Sequence, residues 1–129
     1  MNKAEKLKNA RNLMLKLHKS MLDNEREIYE GINGPLNSSQ FLGLLLEDKD
    51  FEWLRKFSML IVEIDEMFAA KDGIPEELID ANLEKVTELV ELREPDEQFH
   101  VRYQFALQSI PEAASLHSEI KALIAETPA

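Results

Sequence analysis

Cysteine is absent from all 129 residues, which removes disulfides, thiolate metal sites, cysteine-ligated iron–sulfur clusters and cysteine nucleophiles together. Glycine and proline are scarce, at four and five residues, too few for a succession of short strands and tight turns. No apolar run exceeds the six residues Phe41–Leu46, against the roughly 20 that a membrane helix needs. The basic N-terminus lacks a signal-peptide core, because Leu13-Met14-Leu15 is followed at once by Lys16, His18 and Lys19. Glycine-rich phosphate loops, Gly-x-Ser-x-Gly and His-Glu-x-x-His are also missing. These absences predict a soluble cytoplasmic protein with no intrinsic catalysis and no cofactor.

Positive charge is in the minority, 15 Lys and Arg against 25 Asp and Glu, for a net charge of −10. Binding to a phosphate backbone depends on Lys and Arg, so the net charge argues against nucleic acid, and no nucleic-acid partner is expected. The charge is unevenly spread. Residues 1–20 hold six Lys and Arg and only Glu5, a balance of +5, which leaves −15 on the rest. Between Glu76 and Glu97 nine acids face only Lys85 and Arg93, a surface suited to a basic protein partner.

What is present is helical periodicity over a length that suits a single domain, residues 1–129. Leu7, Ala10, Met14, Leu17, Met21 and Ile28 recur at spacings of three, four or seven, predicting a first helix from about Lys3 to Glu30, stopped by Gly31, Gly34 and Pro35. Asn37-Ser38-Ser39 offers caps for a short buried helix, Gln40 to Leu46. Asp48 or Asp50 caps the next, Phe51 to about Ala70, with Leu54, Phe57, Ile61, Ile64 and Phe68 on one face. Pro75 opens another, striped by Ile79, Leu83, Val86, Leu89 and Val90. Asp96-Glu97 starts a segment through Phe99 and Tyr103, and Ser109-Ile-Pro-Glu112 forms a capping box for a last helix to about Ala125. All six Phe and the only Trp fall in 41–68 or 99–105, so those stretches are expected to supply much of the core. The fold class is all-α: an antiparallel helical bundle of about four main helices, with a short inserted helix and the last helix broken near Pro111.

The first helix carries its charges against its own macrodipole, lysines at the positive end and Asp23, Glu25, Glu27 and Glu30 at the negative one. Two arrangements compensate. The helix at 51–70 carries Arg55 and Lys56 near its start and Glu63, Asp65 and Glu66 near its end, so it fits antiparallel. A second copy of the first helix across a dimer two-fold does the same, and a homodimer through this helix is expected. The acidic second half disfavours a membrane surface.

Candidate polar residues border the apolar stripes. Asp65 lies one turn from Ile61, Arg102 and Tyr103 flank the Phe99/Ala106 face, and His18 and His117 sit on or beside apolar faces. Converging, they would make a small-ligand pocket; otherwise they are satisfied core groups. Glu97-Gln-Phe-His100 has the spacing of one half of a di-iron carboxylate site, but no second copy exists, so no metal site is expected.

The tract from Phe41 to Glu66 is similar to a stretch in a family of small bacterial all-helical proteins of unknown function. That resemblance implies a bacterial cytoplasmic setting and transfers no catalytic residue. The leading expectation is a non-catalytic, homodimeric interaction module. The alternative is a bundle with a small-ligand or metal site among the polar residues.

Overall fold

A computed structural model describes residues 1–126 of the chain. It is all-α: α1 (Lys3–Asn33), α2 (Ser38–Glu47), a 3-10 helix (Lys49–Leu54), α3 (Arg55–Phe68), α4 (Glu76–Val90), α5 (Glu97–Ser109) and α6 (Pro111–Ala125). No strand occurs among the described residues.

Local chemistry sets most of these boundaries. The Asn2 side chain accepts from Glu5 N at 2.8 Å to start α1, and Gly34, at φ 91°, ends it in a conformation that L side chains rarely adopt. Asn37 and Gln40 cap α2 reciprocally, each side chain accepting from the other's backbone N–H. Pro75 is the N-cap of α4, whose first turn holds Glu76 and Glu77. Asp96 accepts from Phe99 N at 3.2 Å and opens α5.

Three expectations are corrected. The helix at 51–70 is two elements, because Asp48 caps a 3-10 turn first and α3 begins only at Arg55. In a 3-10 turn, residues three apart eclipse, which sets Phe51 and Leu54 on one buried edge. The capping box at Ser109 does not form: Ser109 remains in the last turn of α5, and the extended Ile110, φ −120°, is the N-cap of α6 without a side-chain bond. Nor is α2 a buried helix. It packs against the 3-10 helix, with Phe41 edge-on to Phe51, while Leu42 and Leu46 face outward.

The core is built around α1, whose Leu7, Ala10, Met14, Leu17 and Met21 are fully covered. It touches α3, α4, α6 and the 3-10 helix. Phe57, Phe99 and Tyr103 form an aromatic cluster with centroids 5.1–5.7 Å apart, and Trp53 lies 6.4 Å from Phe99. Phe105 is the exception, exposed on α5.

The misplaced charges of α1 find partners. Lys3 meets Glu76 and Asp80 in the first turns of α4, at 3.0 and 3.1 Å. The Lys6 ammonium donates to Glu126 O at 2.5 Å, just beyond the end of α6, where a helix carries partial negative charge. Arg11 pairs with Asp65 near the end of α3. Within the chain, then, α1's basic start lies beside the negative ends of two helices and the acidic start of a third.

Candidate functional site

The five polar candidates do not form one cluster: the structure distributes them over several places. Asp65 is on the surface, its carboxylate taken by both Nε and Nη2 of Arg11 at 2.8 Å. Arg102 donates from Nη2 to Asp50 O at 2.7 Å and stands 3.7 Å from Glu25. Burial pushes the Glu25 carboxyl up, Arg102 pulls it back, and Asp50 adds to the rise. His18 is half-buried, its ring makes no hydrogen bond among the described residues, and burial lowers its pKa.

Tyr103 and His117 do meet. The Tyr103 hydroxyl lies 2.7 Å from His117 Nδ1, with the rings 5.4 Å apart in a T-shaped contact. Burial pushes the phenol pKa well up, so the hydroxyl keeps its proton, and a neutral hydroxyl can donate to Nδ1 or accept from it. The tautomer of the imidazole sets the direction of this bond. Burial, then Lys121, lowers His117 and favours the neutral ring. The pair joins α5 to α6, and neither residue lines the clefts described below. It is a structural bond between two helices.

The Glu97–His100 spacing is used differently as well. The His100 ring Nε2 contacts Glu94 O, tying the start of α5 to the loop before it. No group of three or more His, Asp or Glu among the described residues is arranged to hold a metal ion.

Between α3 and α4 lies a groove of about 640 Å³. Leu60 and Leu89 form its buried floor, while Met59 and Val62 stand 70% and 54% exposed. A methionine at a helical position among apolar neighbours reads as core filler, and the exposure of Met59 departs from that pattern. The rim carries Glu63, Glu66, Glu88 and Glu94 against Lys56 and Lys85. Both lysines are committed, Lys85 to Glu63 at 2.5 Å and Lys56 to Glu94 at 2.9 Å. Among the described residues Glu66 and Glu88 have no ion-pair partner, so the rim is net acidic over an apolar floor. Glu88 and Glu94 belong to the acidic run that the sequence shows between 76 and 97.

The loop after α4 fixes one end of this groove. Leu92 takes the left-handed conformation, φ 59°, and Arg93 N reaches back to Glu88 O at 2.9 Å, closing a Schellman-type end without glycine. The chain then turns so that Glu94 meets Lys56 on α3.

The apolar stripe of α1 from Leu7 to Met21 is covered within its own chain and is not available to a second copy, whereas Ile28, expected to continue it, is exposed. What α1 leaves exposed is Leu15, Ile28 and Ile32. Its longest apolar face is therefore spent on folding. No helix among the described residues is long and apolar enough to cross a membrane.

Comparison with protein-family models, with curated proteins and with solved structures gives no match. Function has to be argued from the clefts and surfaces of this chain.

Proposed function

We propose that the protein is a non-catalytic helical interaction module, and that the α3–α4 groove receives a basic amphipathic helix from a partner protein. The observation that carries this is the exposure of Met59 and Val62 over an apolar floor, inside a rim with two uncommitted glutamates. A helix laid there would bury its apolar face on the two exposed side chains and set lysines or arginines opposite Glu66 and Glu88. Methionine suits such a surface because its unbranched, polarizable chain adapts to its neighbour. The cytoplasmic, bacterial setting expected from the sequence is part of this proposal.

The scaffold proposed for this role is an antiparallel bundle of α1, α3, α4 and α6. In support, Arg11 pairs with Asp65 and Lys6 with Glu126, while Tyr29, near the other end of α1, packs on Phe51. On α3 and α4, the pairs Lys56–Glu94 and Glu63–Lys85 run in opposite chain order.

The test is an NMR titration with a synthetic helical peptide, leucines on one face and lysines on the other. Shifts are expected at the Met59 and Val62 methyls, weakening as salt rises. Met59→Glu should reduce affinity by about tenfold or more, as expected of a central anchor. Shifts confined to other faces, or none, would remove the groove from consideration.

A homodimer remains a second proposal in a reduced form. Ile28 and Ile32, one turn apart and 48% and 79% exposed, offer an apolar contact at the end of α1.

A further inference from the structure

We propose that a second cleft, between the 3-10 helix and the start of α5 and adjoining the α3–α4 groove at Lys56 and Met59, binds a small singly charged carboxylate with an apolar body. The cleft measures about 370 Å³ and is bounded by Trp53, Met59 and Phe99 on its apolar side. Four cations line it: Lys49, Arg55, Lys56 and Arg102.

Two of these residues hold donors that the fold leaves without acceptors. Trp53 is 5% exposed, and its indole Nε1–H is covered from solvent with no hydrogen-bond partner among the described residues. Arg55 is half-buried and donates from Nε to Leu45 O at 2.9 Å, while its Nη2 is covered and unpartnered. No carboxylate among the described residues lies within ion-pair distance of Arg55, although Lys56 beside it meets two. Buried donors, above all charged ones, are seldom left unmatched. An Arg fork and an indole N–H bordering one cleft are a donor set suited to the two oxygens of a carboxylate. The guanidinium is planar and its Nη2 is covered, so ligand binding requires the whole Arg55 side chain to swing toward the cleft and to give up or lengthen its bond to Leu45 O.

The start of α5 adds to this field. Asp96, Gln98 and Phe99 reach the cleft from its first turn, the positive end of a 13-residue helix. Charge also limits the ligand. Asp50, Glu52 and Asp96 stand in the same wall, which disfavours a phosphate dianion relative to a monoanion. Asp96 is occupied in capping α5 and facing Lys56 at 3.6 Å, so it opposes a monoanion least. The apolar body of the ligand would lie against Trp53, Met59 and Phe99.

Trp53 is the only tryptophan in the chain, so its fluorescence reports on this cleft directly. The experiment is a titration with butyrate, butyramide and inorganic phosphate at constant ionic strength. Butyrate is expected to give a saturable change in emission, and butyramide none. Arg55→Gln should weaken butyrate binding by about tenfold or more, with Arg55→Lys retaining part of it. Circular dichroism of both variants establishes that they fold, and if Arg55→Gln does not, the Arg55→Lys titration decides alone. The proposal is overturned by no saturable response at about 10 mM butyrate. Equal responses to acid and amide, tighter binding of phosphate, or unchanged affinity in a folded Arg55 variant would each overturn it too. Arg55 does not line the α3–α4 groove, so loss here leaves the peptide site untouched.

Discussion

Asn82 is the least comfortable residue in the α3–α4 contact. It is 3% exposed, its Nδ2 donates to Leu78 O at 3.1 Å and to Met67 Sδ at 3.3 Å, and its Oδ1 has no partner among the described residues. A buried acceptor without a donor costs roughly 1–3 kcal/mol. Leucine has nearly the same shape and no polar atom, so Asn82→Leu is expected to raise stability by about 1 kcal/mol. Urea unfolding measures this, and a loss of stability would mean that the amide organises the helix pair. Sequence pattern passes over Asn82, because a polar residue inside an apolar stripe is assigned to solvent. It passes over the partner of Asp65 for a different reason: Arg11 lies 54 positions away, and periodicity carries no information about which charges meet. Trp53 and Arg55 were legible as an aromatic and a cation. Their missing acceptors are visible only in the folded chain, because burial of a particular nitrogen is a property of the packing.

Among the elements, α1, α4, the cap at Asn37 and the start at Pro75 were legible, since three- and four-residue apolar spacing and capping side chains act locally. The tract 41–47 was misleading. Its apolar density suggested burial, but α2 has the 3-10 helix as its main neighbour, so Leu42 and Leu46 stay outside. For α1, the ion pairs with α3 and α4 are partly exposed, and pairs of that kind are worth under about 1 kcal/mol. The five buried residues of its stripe, each worth roughly 1.5–3 kcal/mol for the larger side chains, dominate its attachment. Any dimer must therefore use the residues that remain. Replacing Ile28 and Ile32 together by Glu is expected to shift the protein to monomer in sedimentation velocity. Unchanged self-association would place the contact elsewhere, and a wild-type monomer would end the dimer proposal.

At the level of the whole molecule, stability should depend on pH through two histidines and one glutamate. Burial lowers both His18 and His117 in the folded protein from their ordinary value of 6.5. Between the lowered values and 6.5 the unfolded chain binds more protons, so stability falls as pH drops through that window. Glu25 acts with the opposite sign. Its raised pKa lets the folded chain hold a proton more readily above 4.5, which offsets part of the loss at the acidic end. The melting temperature is thus expected to be lower at about pH 5.5 than at neutral pH. The double variant His18→Gln/His117→Gln should show a shallower slope. An identical slope would mean that other groups control it.

The bond between Lys6 and Glu126 spans 120 positions, and α1 and α6 share the most extensive helix pairing in the fold. Of the described elements, α1 leaves the ribosome first and α6 last. At ordinary rates of synthesis one flank of α1 waits on the order of ten seconds for its cover. Such a distant closure also raises contact order, which slows folding compared with a bundle of neighbouring hairpins. While that flank waits, the part of the α1 stripe that α6 covers is open to chaperones and to other nascent chains. The central helix of the finished protein is its most vulnerable segment during birth.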